Sequence, residues 1–298
     1  MSDGTSLINF GDLTKPATVL IEKIADATGV LYEPQRIRKR AKAEAEADLI
    51  KAEAQIEITA LQRRALTRFV QEEGKKQENI EDITEEAIPL LNENSSPENI
   101  EDDWIANFFD KCRIVSDKEM QTLWSKILAG EANSPNSFSK KTVNLLASLD
   151  KSDAELFTIL CGFGFFLSEV QPIVYDVNDD IYNKLGINFV TLKHLNYIGL
   201  ISFENVGGYQ IQGNFKANEI HYYGDSLILE FETEKHNSFK VGTVMLTQAG
   251  QQFAKICGSR PVEGFIEYVI EKWMKEQSLK VWCPYPRAKN QITPQNAP

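Results

Sequence analysis

From Gln35 to Glu73 the chain contains neither glycine nor proline and is dominated by Ala, Glu, Lys and Arg. These residues lose least on entering a helix, so the run predicts one long charged helix of roughly 58 Å at 1.5 Å per residue. Its second half carries apolar residues at Ile50, Ala54, Ile58, Leu61, Ala65 and Phe69. Their spacing of 4, 4, 3, 4 and 4 exceeds the 3.5 residues of a heptad, which argues against a simple left-handed zipper. The first half offers only alanine as apolar surface, and alanine buries little area per residue, so such a helix needs close neighbours. Self-association through the Ile50–Phe69 stripe is the resulting expectation. The start of the run is basic, with Arg36, Arg38, Lys39, Arg40 and Lys42. A solvated helix face is the plain reading of that cluster, and phosphate binding the sharper one.

Before this run, Leu13 to Gly29 reads as a short helix with Pro16 near its start and glycine at its end. Leu20, Ile24 and Ala27, widened by Val19 and Ile21, form an apolar stripe. Packing on another helix is favoured over a membrane interface, because Lys15 and Lys23 supply little attraction to anionic lipid. Long uncharged stretches such as Leu156 to Ser168 are shorter than the roughly twenty apolar residues a spanning helix needs. Met1 to Phe10 lacks the basic start and apolar core of a secretion signal.

After the long run, Gly74 is expected to end or interrupt the helix, and Glu78 to Leu91 to form a shorter acidic one. The pattern then predicts helices around Trp104–Phe109 and Met120–Leu128, the second entered through a capping box Ser116–Glu119. Two further helices, Lys140–Leu149 and Asp153–Phe163, are expected behind caps at Ser139 and Ser152. Beyond residue 170 the pattern changes. A β-like Pro172–Val177, short helices Asp180–Leu185 and Phe189–Tyr197, and a strand through Ile201–Phe203 read as a winged-helix-like unit. Leu227–Phe231 and Val241–Leu246 are the candidates for the partner strand. A last amphipathic helix covers Pro261–Gln277.

The expected fold class is therefore mainly α with a smaller α+β part. The expected segments are an arm over residues 1–34, the charged helix over 35–76, a helical domain over 77–167, the winged-helix-like domain over 168–280 and a disordered tail over 281–298.

Chemistry is sparse. The histidines His194, His221 and His236 share no metal-ligand spacing, and Cys112, Cys161, Cys257 and Cys283 form no C-x-x-C pair. No phosphate loop, dinucleotide fingerprint or nucleophile elbow occurs. No catalytic residue, metal or cofactor is expected on these grounds. The winged region offers Lys193 and His194 as nucleic-acid contacts, but residues 157–256 hold six basic against ten acidic residues. Phosphate contacts by Lys and Arg supply most nonspecific affinity for nucleic acid, so a protein partner ranks above DNA or RNA. The expected partners are a second copy of the chain and an unidentified protein. Nucleic acid comes behind them, and membrane contact by the N-terminal arm comes last.

Several strings together resemble a bacterial family known as domain of unknown function 2806: Leu31-Tyr-Glu-Pro-Gln-Arg-Ile-Arg38, Ala41-Lys-Ala-Glu-Ala-Glu-Ala-Asp48, Ile100-Glu-Asp-Asp-Trp104, Leu123-Trp-Ser-Lys-Ile-Leu-Ala-Gly-Glu131 and Gly258-Ser-Arg-Pro-Val-Glu-Gly264. The resemblance covers about Thr14 to Gln277. It implies a bacterial host, a cytoplasmic compartment and an association with antiviral defence, and it brings no catalytic residues.

Overall fold

The computed structural model describes residues 13–29, 59–276 and 279–283. The chain divides into two compact units, Met1–Ser148 and Leu149–Pro298. The first is helical and the second mixes helices with small antiparallel sheets.

In the first unit, α1 (Lys15–Thr28) buries Ala17, Leu20, Ile21 and Ile24. The apolar stripe thus packs inward, against α3 (Asp102–Cys112), and Lys23 pairs with Asp102 at 2.6 Å. α2 (Ala60–Ala87) begins at Thr59, whose backbone is extended. The Thr59 amide donates to Gln62 Oε1 at 2.9 Å and the Gln62 amide donates to Thr59 Oγ1 at 3.3 Å. This capping box satisfies two N–H groups that an isolated helix start leaves open. The helix expected to run unbroken through residues 35–73 is interrupted at the extended Thr59 and begins at Ala60, while 35–58 lie outside the described residues.

Gly74 does not end the helix. It sits mid-helix at an open position, where the roughly 1 kcal/mol cost of glycine is outweighed by burial in the later turns. In those turns Ile80, Ile83, Thr84 and Ala87 are buried, and the helix packs on α4 (Lys118–Asn133). The two helices expected on either side of Gly74 are one helix. The cap of α4 is Asp117 rather than Ser116: its carboxylate accepts from the Met120 amide at 3.0 Å. Trp104, Phe108 and Trp124 form the centre, with the Phe108 ring centroid 5.1 Å from each tryptophan's. Ser139 caps α5 (Lys140–Leu146) as expected, accepting from Thr142 at 3.2 Å.

The second unit starts with α6 (Lys151–Cys161), capped by Asp150 together with Asp153 instead of by Ser152. A short hairpin comes next, β1 (Gly164–Phe166) with β2 (Val170–Pro172), then α7 (Asp180–Asn183), α8 (Phe189–Tyr197) and β3 (Ile201–Phe203). β4 (Tyr209–Gly213), β5 (Ala217–Tyr222), β6 (Asp225–Glu230) and β7 (Asn237–Gly242) come before β8 (Val244–Leu246). β3 pairs with β8, so the segment over 204–243 is an insertion within that hairpin. Of the two candidate partner strands, Val241–Leu246 supplies β8, whereas Leu227–Phe231 falls largely in β6 of a five-stranded sheet ordered β2-β1-β5-β6-β9, with β9 at Lys280–Trp282. That sheet buries Phe165, Tyr222, Leu227 and Leu229. α9 (Gln248–Ala254) and α10 (Phe265–Glu276) complete the unit. α10 inserts Phe265, Val269 and Trp273 among Phe163, Phe165 and Phe239.

Gly250 and Gly242 are required by space. A Cβ on Gly250 would meet the Leu200 carbonyl oxygen at 2.1 Å, and one on Gly242, at φ 97°, would meet that of Val174 at 2.1 Å. Among the described residues, no helix is long and apolar enough to cross a membrane.

Candidate functional site

The outward face of α8 is built by a tightly specified local sequence. Asn188 accepts from the Val190 and Thr191 amides at 3.0 and 3.2 Å, and its own amide donates to Thr191 Oγ1 at 2.9 Å. At the other end Gly199 takes φ 86°, and the Leu200 and Gly199 amides return to the Leu195 and Asn196 carbonyls at 3.1 Å each. That is the glycine-terminated Schellman closure. Leu192 and Leu195 point into the core. Helical spacing then sends Val190, Lys193, His194 and Tyr197 to the opposite side.

That side is apolar where a nucleic-acid reader would be cationic. Val190 is 73% exposed and Tyr197 87%. Phe189, at the start of the same helix, is exposed as well. Lys193 and His194, the expected phosphate or base contacts, are both engaged within the unit. Lys193 Nζ lies 5.8 Å from the Phe189 ring centroid and 5.5 Å from that of Phe203. The two rings meet edge to face at 5.6 Å, so the ammonium rests on an aromatic pair. His194 Nε2 is 2.6 Å from Asp153 Oδ1 on α6. Thr191 donates to the Gly186 carbonyl at 2.8 Å, and Asn196 Oδ1 accepts from the Phe203 amide at 2.9 Å. The polar groups that would read bases are therefore largely occupied in holding α8 in place.

The other cationic candidates, Arg36, Arg38, Lys39, Arg40 and Lys42, lie outside the described residues, as do Ile50, Ala54 and Ile58 of the self-association stripe. Its remaining members, Leu61, Ala65 and Phe69, are exposed on α2, with Leu61 at 68% and Phe69 at 60%. Leu66 and Val70 join them as a second exposed column, whose i, i+4 interval is the sequence signal that marks it. None of these residues is brought next to Lys193 or His194 by the contacts within either unit.

A cleft of about 950 Å³ opens in the second unit, with Ile159, Ile181, Leu185 and Val262 on its walls and Asp179, Lys184 and Arg260 around it. Asp179 is occupied: Tyr268 donates to its Oδ2 at 2.5 Å, and burial foremost, then this carboxylate, push the Tyr268 hydroxyl well above the usual tyrosine range. Lys184 stands 3.9 Å from Asp180. Neither His221 nor His236 lines the cleft. Among the described residues no three His, Cys, Asp or Glu side chains converge to hold a metal. The cleft can accept a mainly apolar body beside the Tyr268–Asp179 pair.

A family model described as Protein of unknown function (DUF2806) matches residues 63–270, more than two thirds of the chain. No curated protein and no solved structure matches the chain. The matched region starts within the first turn of α2 and ends within α10, taking in the α8 face and the cleft. The chain belongs to this family of unknown function, DUF2806.

Proposed function

We propose that the protein is a non-enzymatic, self-associating interaction module whose second unit recognises a protein partner through the outward face of α8. The observation that carries this reading is the chemistry of that face. Val190 and Tyr197 stand in solvent while Lys193 is folded onto Phe189 and Phe203 and His194 is held by Asp153. An exposed aromatic and aliphatic patch with few available cations matches the composition of protein interfaces and lacks the phosphate-contacting shell of nucleic-acid sites.

We read the second unit as winged-helix-like. Its element order supports this: α6, β2, α7, α8, then the β3–β8 hairpin, with Gln171 Nε2 donating to the Val244 carbonyl at 2.7 Å to set β2 beside β8. In that reading α8 is the recognition helix and the 204–243 segment elaborates the wing. Self-association is assigned to α2, where Leu61, Ala65, Leu66, Phe69 and Val70 form an exposed stripe suited to a second copy of the chain. Fully burying side chains of this kind contributes on the order of 1.5–3 kcal/mol each before the cost of association. The cytoplasmic compartment and a role in antiviral defence rest on the family resemblance alone.

Two measurements test the reading. In a gel-retardation series at low salt, the protein is expected to leave duplex DNA and single-stranded RNA unshifted. Binding that weakens steeply with salt would transfer the function to nucleic acid. In light scattering at micromolar concentration, the protein is expected as an oligomer that Leu61→Ser with Phe69→Ser dissociates. A monomer, or an oligomer indifferent to both changes, removes the assembly assigned to α2.

A further inference from the structure

Cys161 is the last residue of α6, and Cys257 lies just past α9. The fold brings these distant residues together, close enough that each thiol acts on the other's proton affinity, while Cys257 Sγ donates to the Ala254 carbonyl at 3.6 Å. Their backbones are pinned on both sides. Thr158, one helical turn before Cys161, sets its hydroxyl 3.5 Å from the Cys257 carbonyl oxygen. The Tyr223 hydroxyl lies 3.1 Å from the Cys161 carbonyl oxygen and 2.6 Å from Ser259 Oγ, bridging α6 to the residues after Cys257.

The two thiols differ in surroundings. Cys161 is 2% exposed, whereas Cys257 is partly open to solvent. Burial pushes the Cys161 thiol well above its usual value. Cys257 goes the other way, brought down to about 7 by the neighbouring Cys161 thiol against the opposing effect of burial. The Ser259 amide and hydroxyl and the Thr158 hydroxyl add to that shift. A low-pKa, partly open thiol next to a buried second thiol is the arrangement of a peroxide-reactive cysteine with a resolving partner. Cys112 is buried in the first unit, and Cys283 lies just past β9.

We propose that Cys257 and Cys161 form a reversible dithiol–disulfide pair, with Cys257 the nucleophile toward hydrogen peroxide and Cys161 the resolving thiol. The Cys257 thiolate attacks one peroxide oxygen, the O–O bond breaks, and a sulfenic acid forms. The hydroxide released takes up the proton that Cys257 lost and leaves as water. Cys161 sulfur then attacks Cys257 Sγ, the S–O bond breaks, and the departing oxygen leaves with the Cys161 proton as a second water. Two electrons pass from the thiols to the peroxide, and a small dithiol reductant reverses the result. Thr158 and Gly258, each close in sequence to one of the pair, line the 950 Å³ cleft, so the bond forms at its edge.

The test needs only the reduced full chain, hydrogen peroxide at a few equivalents, iodoacetamide quenching and mass spectrometry. The expected product lacks two hydrogens relative to the reduced chain, yields a linked Cys161–Cys257 peptide pair and reverts with dithiothreitol. In Cys161→Ser the expected product is a Cys257 sulfenic acid captured by dimedone. At pH 7 iodoacetamide is expected to modify Cys257 on the order of ten-fold faster than a short cysteine peptide with an ordinary thiol of pKa about 8.5, and faster than Cys283. Over-oxidised Cys257 without a link to Cys161 in the unsubstituted chain, or alkylation of Cys257 no faster than of Cys283, overturns the proposal.

Discussion

The two halves of α2 differ sharply in burial. From Ala60 to Lys75 every residue but Thr67 is exposed, Leu61 and Phe69 included. From Asn79 onward the same helix sinks Ile80, Ile83, Thr84 and Ala87 into the first unit. There Asn79 and Gln121 share a buried polar network. Asn79 Nδ2 donates to the Arg113 carbonyl at 2.8 Å, and Gln121 Nε2 donates to Asn79 Oδ1 at 3.2 Å and to the Val115 carbonyl at 2.8 Å. The C-terminal half is held by tertiary packing. The N-terminal half is held by its capping box, by intrinsic propensity and by pairs such as Arg68 with Glu72 at 3.7 Å. Apolar side chains occur in both halves, so hydrophobicity alone does not decide burial; the surface that faces them does.

Substitutions along α2 should therefore fall steeply in effect from one half to the other. Ile83→Ala removes a side chain with no exposed surface and is expected to cost about 2–5 kcal/mol in chemical denaturation. A loss below about 1 kcal/mol would mean that the site collapses around the gap. Next comes Asn79→Ala, which leaves the Arg113 carbonyl and one Gln121 N–H without their partner. The expected cost is about 1–3 kcal/mol by the same measurement. Thr59→Ala breaks the capping box and is expected to cost about 1 kcal/mol, read as faster amide exchange over the first turn of α2. Gly74→Ala goes the opposite way: its Cβ would meet open space in a helical backbone, and a gain of about 0.5–1 kcal/mol is expected. Destabilisation there would show that the helix does not run through residue 74. Phe69→Ser is expected to leave the stability of the isolated chain within about 0.5 kcal/mol while weakening the oligomer. A large loss of monomer stability would place Phe69 in a core rather than on a docking face.

The candidate site repeats the same division at shorter range. That Phe189–Tyr197 is a helix ended by Gly199 was legible, because Asn188, the Leu192 and Leu195 spacing and the glycine are local signals. That its Lys193 and His194 are already engaged was not. Phe203, which receives Lys193, lies ten residues away, and Asp153, which holds His194, lies forty-one away. Charge counting warned that the region was acidic overall, yet it could not assign each cation to its partner. The Cys161–Cys257 pair was invisible for the same reason: nothing in a spacing of ninety-six residues distinguishes two isolated thiols from a dithiol.

By itself the sequence determined the features that depend on a few consecutive residues: a mainly helical chain with a smaller α+β part, the helices about Trp104, Trp124 and Phe189, and the inward stripe of Leu20 and Ile24. Propensity, caps and helical period act over one to four turns, so they can be read directly. Tertiary structure alone decided the rest. It carried α2 through Gly74 because burial after Asn79 outweighs a local penalty, and it paired β3 with β8 rather than with Leu227–Leu229. Strand pairing across a forty-residue insertion is set by which apolar faces meet once the core closes. Both candidate strands are apolar, and their order along the chain does not contain that information.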